Sequence, residues 1–236
     1  MAVKAVVFDL YGTILDIGSM RTHVAAAGIE NADAFVASWR RKQLEYAFLT
    51  TIAGAYADFD DLTLRSLMHS CTQHGVILAD AVVHDLAAAW RTMPAYSDVA
   101  PAIAALAARS VPVAVLTNGT PASANAALEH AGVRHLLAGV LSVEAVRAYK
   151  PDPRVYALAT ERFACAPGEI VFVSSNGWDA WGAAEVGFRV VWCNRAGHAR
   201  ETLAHTGRVP VEMERTLAGL DELEPFVDTL TRRPVE

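Results

Sequence analysis

Short apolar runs alternate with longer amphipathic stretches along the chain, a pattern typical of parallel strands joined by crossover helices. The apolar runs are rich in Val and lack strict alternation, as expected of strands buried on both faces. Five such strands are predicted, at residues 3–9, 112–117, 138–142, 169–174 and 188–193. Helices are predicted between them, because Thr120-Pro121 and Asp152-Pro153 each fit an N-cap followed by a first helical residue.

The connection after the first strand is too long for one crossover helix. It holds three helical stretches, at residues 32–52, 60–74 and 80–92. We therefore predict an α/β fold: a three-layer, Rossmann-like parallel-sheet core from residues 1–16 and 93–236, with an all-helical cap inserted at 17–92. The tail after residue 225 is expected to be a frayed end.

Composition narrows the class of protein. Hydrophobic residues make up 53% of the 236 positions, and the formal net charge is −6 without a basic cluster, which argues against nucleic acid or an anionic membrane as a partner. The three cysteines show no CxxC spacing, no apolar stretch reaches the ~18 residues of a membrane span, and no two histidines are spaced like metal ligands. We expect a soluble, cytoplasmic protein without a metal.

The first predicted strand ends at a carboxylate, Asp9, and Gly12 then breaks the strand into a tight loop. Open parallel sheets bind ligands at the carboxyl ends of their strands, so Asp9 stands where a functional side chain is expected. An aspartate that merely caps the following turn is the alternative. The partners supplied by later segments favour the catalytic interpretation.

Polar segments follow other predicted strands at the same edge. Thr117 and Asn118 precede a helix N-terminus, where free backbone N–H groups can cradle an anion, although a plain strand-to-helix turn would look the same. Lys150 is held extended by Pro151. Beside Asp9 it would keep that carboxylate ionised and attract an acidic substrate, whereas the alternative is an exposed lysine before a helix.

Two further segments supply candidates. Asp179 falls in the first turn of a predicted helix, where the helix dipole stabilises a carboxylate, and Trp178 precedes it; capping and core packing are the alternatives. Arg40 shares an apolar stripe with Val36 and Leu44 at helical spacing. A guanidinium there is costly unless an anion meets it, so an anion site is favoured over an arginine that extends to solvent.

These segments together resemble the type II L-2-haloacid dehalogenases of the haloacid dehalogenase superfamily. The similarity covers residues 3 to about 195, including the predicted cap. The motifs that carry it are Asp9-Leu10-Tyr11-Gly12-Thr13, Trp39-Arg40 with Lys42-Gln43-Leu44-Glu45-Tyr46, Thr117-Asn118-Gly119, Lys150-Pro151 with Tyr156, and Ser174-Ser175-Asn176 with Trp178-Asp179. The resemblance implies a metal-independent hydrolase of carbon–halogen bonds, without a cofactor, that forms a homodimer.

The resemblance also implies roles for individual residues. Asp9 would attack C2 of a short-chain L-2-haloacid, expelling halide with inversion, and water would hydrolyse the aspartyl ester to a D-2-hydroxyacid. Arg40 and Asn118 would bind the departing halide, and Lys150 would stay charged beside Asp9. The other residues implied as catalytic are Thr13, Tyr156, Ser174, Asn176 and Asp179. Those implied in substrate binding are Tyr11, Leu44, Phe59, Thr117, Asn118 and Trp178.

Two other functions compete with this one. A magnesium-dependent phosphatase of the same superfamily would typically carry a second aspartate where this chain has Tyr11, and an acidic residue in the segment Ser174-Ser175-Asn176. Fewer carboxylates leave little to hold Mg²⁺, which needs an oxygen-rich site. A non-catalytic binding protein on this fold would retain all these polar groups without use. Within the resemblance, Thr117 replaces a more frequent Ser and can narrow the pocket.

Overall fold

The centre of the protein is a six-stranded parallel sheet, seen in a computed structural model that describes residues 2–199 and 213–232. The strands are β1 (Ala5–Phe8), β2 (Val113–Thr117), β3 (Gly139–Ser142), β4 (Ile170–Ser174), β5 (Arg189–Cys193) and β6 (Arg215–Leu217). Their order in the sheet is β3-β2-β1-β4-β5-β6, and β1, β2 and β4 are buried along their whole length. The five predicted strands and the α/β fold class are therefore confirmed.

The strand order reverses at β1, which pairs with β2 on one side and with β4 on the other. Phe8, the last residue of β1, lies opposite Val115 and Val173 in the two ladders. In an open parallel sheet, the loops that follow the strands on either side of such a reversal separate and leave a crevice. The segment that begins with Asp9 enters this crevice.

Four α-helices lie within residues 17–92: α1 (Met20–Ala26), α2 (Ala32–Ile52), α3 (Phe59–His74) and α4 (Asp80–Ala88). Three match the predicted stretches, and the short α1 was missed. Helix α3 begins one residue before its predicted start because the Asp58 side chain caps it, accepting from the Asp61 N–H at 2.8 Å. Helix α2 packs on α3, and Trp39 donates across this contact to the Thr63 carbonyl at 2.9 Å.

The remaining helices are α5 (Val99–Ala108), α6 (Pro121–His130), α7 (Pro153–Phe163), α8 (Gly177–Glu185) and α9 (Leu223–Arg232). Two predicted N-caps are confirmed, since Thr120 accepts from the Ser123 N–H at 3.2 Å and Asp152 accepts from the Arg154 N–H at 2.9 Å. Within the described ranges, no helix is both long and apolar enough to cross a membrane.

The expectation that the tail frays after residue 225 is wrong for the part that the structure describes. Helix α9 extends to Arg232, and its residues Leu223, Val227 and Leu230 are buried at helical spacing against the core. Strand β6 precedes it and pairs with β5. Burial of this apolar face stabilises α9, although fraying is common so near a chain end.

Candidate active site

Asp9 follows β1 at the reversal of strand order, and its backbone N–H donates to the Val173 carbonyl at 2.9 Å. Its side chain is almost buried, and both carboxylate oxygens accept hydrogen bonds. Oδ1 accepts from Lys150 Nζ at 3.0 Å, while Oδ2 accepts from Thr13 Oγ1 at 3.1 Å and from Asn176 Nδ2 at 2.8 Å. The carboxylate is therefore fixed in orientation by three donors from three loops, which is more than a turn-capping aspartate requires.

Lys150 is fully buried, and its ammonium lies between two carboxylates. Nζ is 3.0 Å from Asp9 Oδ1 and 3.0 Å from Asp179 Oδ2, and it lies 5.0 Å from the ring centroid of Phe172. The backbone N–H of Lys150 donates to Asn118 Oδ1 at 3.1 Å. A buried ammonium is tolerated only when it is paired, and here the pairing is double. The alternative of an exposed lysine is wrong.

Asp179 is fully buried in the first turn of α8 and accepts bonds from three side chains. Besides Lys150, Ser174 Oγ donates to Oδ2 at 2.9 Å and the Tyr156 hydroxyl donates to Oδ1 at 2.7 Å. Burial, and secondarily the charge of Asp9, raise the pKa of Asp179 to about 6, although Lys150 and Tyr156 act in the opposite direction. Asp179 therefore holds Lys150 in place in addition to lying at a helix N-terminus.

The loops after β1 and β4 are joined by hydrogen bonds around the carboxylate. Thr13 Oγ1 accepts from the Ser175 N–H at 2.8 Å while it donates to Asp9. Asn176 Nδ2, which donates to Asp9, also lies 3.3 Å from the Tyr11 carbonyl oxygen. These contacts make the two loops one rigid frame, so the predicted proximity of Thr13 and Asn176 to the carboxylate is confirmed.

A glycine sets how closely α8 approaches the Lys150 loop. A Cβ atom at Gly182 would lie 2.5 Å from Pro151 Cβ and 2.7 Å from the Tyr156 hydroxyl oxygen, well inside van der Waals contact. A glycine at position 182 therefore leaves the space in which the Tyr156 hydroxyl donates to Asp179. Sequence reasoning missed this position, because nothing in the local pattern around Gly182 marks it.

Arg40 lies half-buried on α2, and its charge interacts with those of Asp9 and Asp179. NH1 donates to Gln43 Oε1 at 2.7 Å, and Gln43 Nε2 in turn donates to Thr63 Oγ1 at 2.6 Å. Burial lowers the pKa of Arg40 to about 10, while the negative charge of Asp9 acts to raise it. In the part of the chain that the structure describes, Arg40 forms no ion pair, so its charge is held by a neutral amide and is free to meet an anion.

Aromatic rings cover the site. Tyr11 stacks on Phe59 with ring centroids 6.0 Å apart and meets Trp90 edge-on at 5.5 Å, and burial raises the pKa of Tyr11 so that its phenol stays protonated. Trp178 packs edge-on against Phe48 of α2 at 5.3 Å. Tyr11 and Phe59 are buried, as Asp9 is, and charge interactions are stronger in such an apolar surrounding than at the surface.

Of the predicted substrate-binding residues, Phe59 and Trp178 contribute the aromatic rings just described, and Thr117 and Leu44 lie outside the hydrogen-bond network around Asp9. The Thr117 hydroxyl accepts from the Gly119 N–H at 3.0 Å, so that N–H is already used within its own loop rather than left for an anion. Leu44 is half-buried one helical turn after Arg40 on α2. Asn118 is linked to the network through the backbone of Lys150. The structure thus brings most of the predicted residues together around Asp9, whereas Thr117 and Leu44 make no hydrogen bond to this group.

The described residues contain no group of three or more His, Cys, Asp or Glu side chains arranged to hold a metal ion. The carboxylates of Asp9 and Asp179 already share the ammonium of Lys150. The charge that balances them is therefore supplied by the protein itself.

Comparison with known proteins decides the family. A family model described as haloacid dehalogenase-like hydrolase matches residues 3–187. The chain belongs to this family. It is 36% identical over 227 residues to the (S)-2-haloacid dehalogenase of Pseudomonas sp. strain YL, a match covering 93% of this chain and 98% of the relative. It is 34% identical over 220 residues to (S)-2-haloacid dehalogenase H-109 of Pseudomonas putida, covering 93% and 97%.

A solved structure from the haloacid dehalogenase family superposes on most of the chain. It is the L-2-haloacid dehalogenase of Xanthobacter autotrophicus with chloropropionic acid covalently bound, with a TM-score of 0.88 and 31% identity, covering 96% of this chain and 98% of that one. The resemblance carried by the sequence motifs is therefore confirmed. Sequence reasoning did not predict the hydrogen bond from Arg40 to Gln43. The spacing of three residues on one helix could have indicated it, because side chains three apart are neighbours on the helix surface.

Proposed function

We propose that the protein hydrolyses short-chain L-2-haloacids to D-2-hydroxyacids with inversion, through an ester on Asp9. The observation that carries the proposal is the nearly buried Asp9 carboxylate, held by Thr13, Asn176 and Lys150. The names of the relatives, and the covalently bound chloropropionic acid in one relative's structure, support it. A magnesium-dependent phosphatase, the main competing function, would need carboxylates at positions where this chain has Tyr11 and Ser174-Ser175-Asn176.

In the first step, an Asp9 oxygen forms a bond to C2 of the substrate as the C2–halogen bond breaks. The bonding pair leaves with the halogen as halide, and backside displacement inverts C2. Arg40 and the Asn118 amide would bind this halide as its charge develops. In support, the charge of Arg40 interacts with that of Asp9, and Asn118 accepts from the backbone of Lys150, the partner of Asp9. A carboxylate shielded from water is the better nucleophile, and the rings of Tyr11 and Phe59 provide that shielding.

In the second step, water attacks the carbonyl carbon of the Asp9 ester and the bond from that carbon to the substrate oxygen breaks. The leaving oxygen takes one proton and departs as the hydroxyl of the hydroxyacid. The second proton is released, and Asp9 is again a carboxylate. Lys150 stays charged beside the carboxylate that is regenerated, and Asp179 holds the Lys150 ammonium in place. Ser174 and Tyr156 act through Asp179, to which both donate. Thr13 and Asn176 keep Asp9 oriented through both steps.

Two features favour metal-independent dehalogenation over magnesium-dependent phosphoryl transfer. The Lys150 ammonium occupies the point where Asp9 and Asp179 converge, and a divalent cation beside it would be repelled. Tyr11, which stands where a phosphatase typically has its second aspartate, is a protonated phenol packed against Phe59. A purely binding protein would have no need for a buried ammonium between two carboxylates.

We further propose that residues 17–92 form a cap over a core made of residues 1–16 and 93–236. Asp60 of α3 accepts from the Ser123 hydroxyl of α6 at 2.7 Å, the kind of contact that would hold a cap on its core. The net charge of −6 favours a small-molecule substrate over nucleic acid. Free cysteines at 71, 165 and 193 favour a cytoplasmic location.

A homodimer is also proposed, on the strength of the family resemblance. Large apolar side chains, Met68 on α3 and Ile77 after it, are exposed and would be suited to burial between two copies. The oligomeric state is measured by light scattering of the purified protein.

The proposed function is tested by halide release from L- and D-2-chloropropionate, assayed separately with EDTA present, beside a phosphatase assay with Mg²⁺. We expect chloride release from the L form alone, undiminished by EDTA. Phosphate release that needs Mg²⁺, without halide release, would assign the phosphatase function instead. No turnover in either assay would favour the non-catalytic alternative.

Replacing Tyr156 with phenylalanine should move the acid limb of the kcat/KM–pH profile to higher pH. The wild-type limb is expected near pH 6, where Asp179 takes up a proton and its hold on Lys150 weakens. The Tyr156 hydrogen bond favours the ionised carboxylate, so its loss raises the pKa of Asp179 further. Tyr96→Phe is the matched control, because that phenol faces Asp16 instead. Equal acid limbs in wild type and Tyr156→Phe would disprove the role of Tyr156.

A further inference from the structure

The start of α3 is bonded to two segments of the sheet region at once. On one side, Asp60 Oδ2 accepts from Ser123 Oγ at 2.7 Å and from Thr120 Oγ1 at 3.1 Å, and both donors lie at the N-terminus of α6. On the other side, the Ala57 carbonyl accepts from the Tyr149 hydroxyl at 2.7 Å. We name the segment from Ala57 to Asp60 the α3 bridge, because it joins the loop after β2 to the loop before α7.

The two loops that the α3 bridge contacts carry residues of the proposed reaction. Thr120 lies two residues after Asn118, and Tyr149 directly precedes Lys150. The Lys150 N–H donates to Asn118 Oδ1 at 3.1 Å, so the two loops are also bonded to each other. These contacts form a closed ring that passes from α3 through both loops and back. In such a network each contact supports the others.

The buried residue of the α3 bridge is Phe59. Its ring centroid lies 6.0 Å from that of Tyr11 and 5.8 Å from that of Tyr149. Tyr11 in turn packs on the backbone of Gly119, where an added Cβ atom would lie 3.1 Å from Tyr11 Cε2. The position of Phe59 relative to the loop after β2 is therefore set by packing through Tyr11 and by the hydrogen bonds of its neighbour, Asp60.

Asp60 gives the α3 bridge a charge-assisted contact with α6. A further neighbour is Arg91, whose NH2 lies 3.8 Å from Asp60 Oδ2 and whose Nε donates to the same Ser123 hydroxyl at 3.1 Å. The Asp60 side chain is 41% exposed, so water and salt screen its charge and its contribution to global stability is small. Its effect is therefore expected in the geometry of the site rather than in the folding of the chain.

We infer that Asp60 is a positioning residue for carbon–halogen cleavage, which holds Phe59 and the loop of Asn118 at the separation in which halide departs. This inference rests on the proposed function and adds to it a residue that acts without touching the substrate. Charge develops on the halogen as its bond to C2 breaks, so a displaced donor loses its value at that moment. A displacement of about 1 Å can lower a rate about 100-fold, and Asp60, as one of several contacts, is expected to account for about tenfold.

The test measures kcat/KM of Asp60→Ala for L-2-chloropropionate and L-2-bromopropionate. We expect kcat/KM for the chloro acid to fall about tenfold. The chloro-to-bromo ratio of kcat/KM should fall about threefold, because chloride is the poorer leaving group and depends more on stabilisation of its developing charge. A general loss of folded protein would instead lower both values by the same factor.

Asp61→Ala is the matched control, since Asp61 lies in the same first turn of α3 but pairs with Arg65 of its own helix at 2.7 Å. It should leave the chloro-to-bromo ratio unchanged. An unchanged ratio in Asp60→Ala, or an equal decrease in both variants, would overturn the positioning role and leave the dehalogenase function intact.

Ser123→Ala tests the same contact from the other side. It removes the hydroxyl that donates to Asp60 and should lower the ratio as Asp60→Ala does, with no further decrease in the double variant, as expected of two residues that act through one contact. Additive decreases in the double variant would show that the two side chains act separately, against the inference. Absence of halide release by the wild type from both acids would overturn the proposed function itself.

Discussion

Asp9→Asn is expected to abolish halide release, with kcat lower by on the order of 10⁴-fold or more, the scale on which loss of a covalent nucleophile acts in other enzymes. An amide is a far weaker nucleophile than a carboxylate and cannot form the ester. The substitution keeps the shape of the side chain, so Thr13 and Asn176 retain a neighbour of the same size. The measurement is steady-state halide release from L-2-chloropropionate, with intact-mass detection of the ester after rapid quenching.

Asp33→Asn is the matched control for this change, because Asp33 is an exposed carboxylate in the first turn of α2. It should retain activity, and its stability should change by only a few tenths of a kcal/mol, as expected for a surface charge near a helix N-terminus. The ester adduct should appear in the wild type and in Asp33→Asn, and be absent from Asp9→Asn. Sustained halide release by folded Asp9→Asn would show that another group attacks the substrate.

The parts of the site that follow strand ends could be predicted from the sequence. Asp9 lies 141 residues before Lys150, and Lys150 lies 29 residues before Asp179, but each follows a strand or opens a helix at the same edge of a parallel sheet. Topology alone brings such positions together. Their residue types then indicate ion pairing, because a lysine and two carboxylates buried at one edge must neutralise one another.

Side-chain direction could not be predicted in the same way. The hydroxyl of Thr117 accepts from the Gly119 N–H of its own loop, which does not follow from spacing along a strand. The close approach at Gly182 depends on how α8 lies against Pro151, a contact set by packing between distant segments. Positions of this kind are determined by tertiary contacts rather than by local pattern.

The chain end was misjudged for a related reason. Strand β6 is only three residues long and two of them are exposed, so it lacks the Val-rich pattern that marked the other strands. Helix α9 has apolar residues at helical spacing, at 223, 227 and 230, but it lies near the chain end, where fraying is common. Burial of this apolar face against the core keeps the segment helical.

Lys150→Met is expected to destabilise the protein by about 3–5 kcal/mol and to remove most activity, because it leaves two buried carboxylates without their cation. Methionine fills a similar volume, so the loss reports charge rather than a cavity. Without the ammonium, the pKa of Asp179 rises further above its unfolded value. The folded variant then binds more protons than the unfolded chain, so its free energy of unfolding should decrease as pH rises from 5 to 8.

Urea unfolding at pH 5 and pH 8 measures both effects, with Lys4→Met as the matched control. Lys4 is half-exposed and pairs with Glu169 at 3.1 Å, so its loss should cost no more than about 1 kcal/mol. The double variant Lys150→Met/Asp179→Asn removes one stranded charge and should recover part of the lost stability, flatten its pH dependence and remain inactive. Equal stability of Lys150→Met and Lys4→Met at pH 8 would mean that the ammonium does not hold the two carboxylates together.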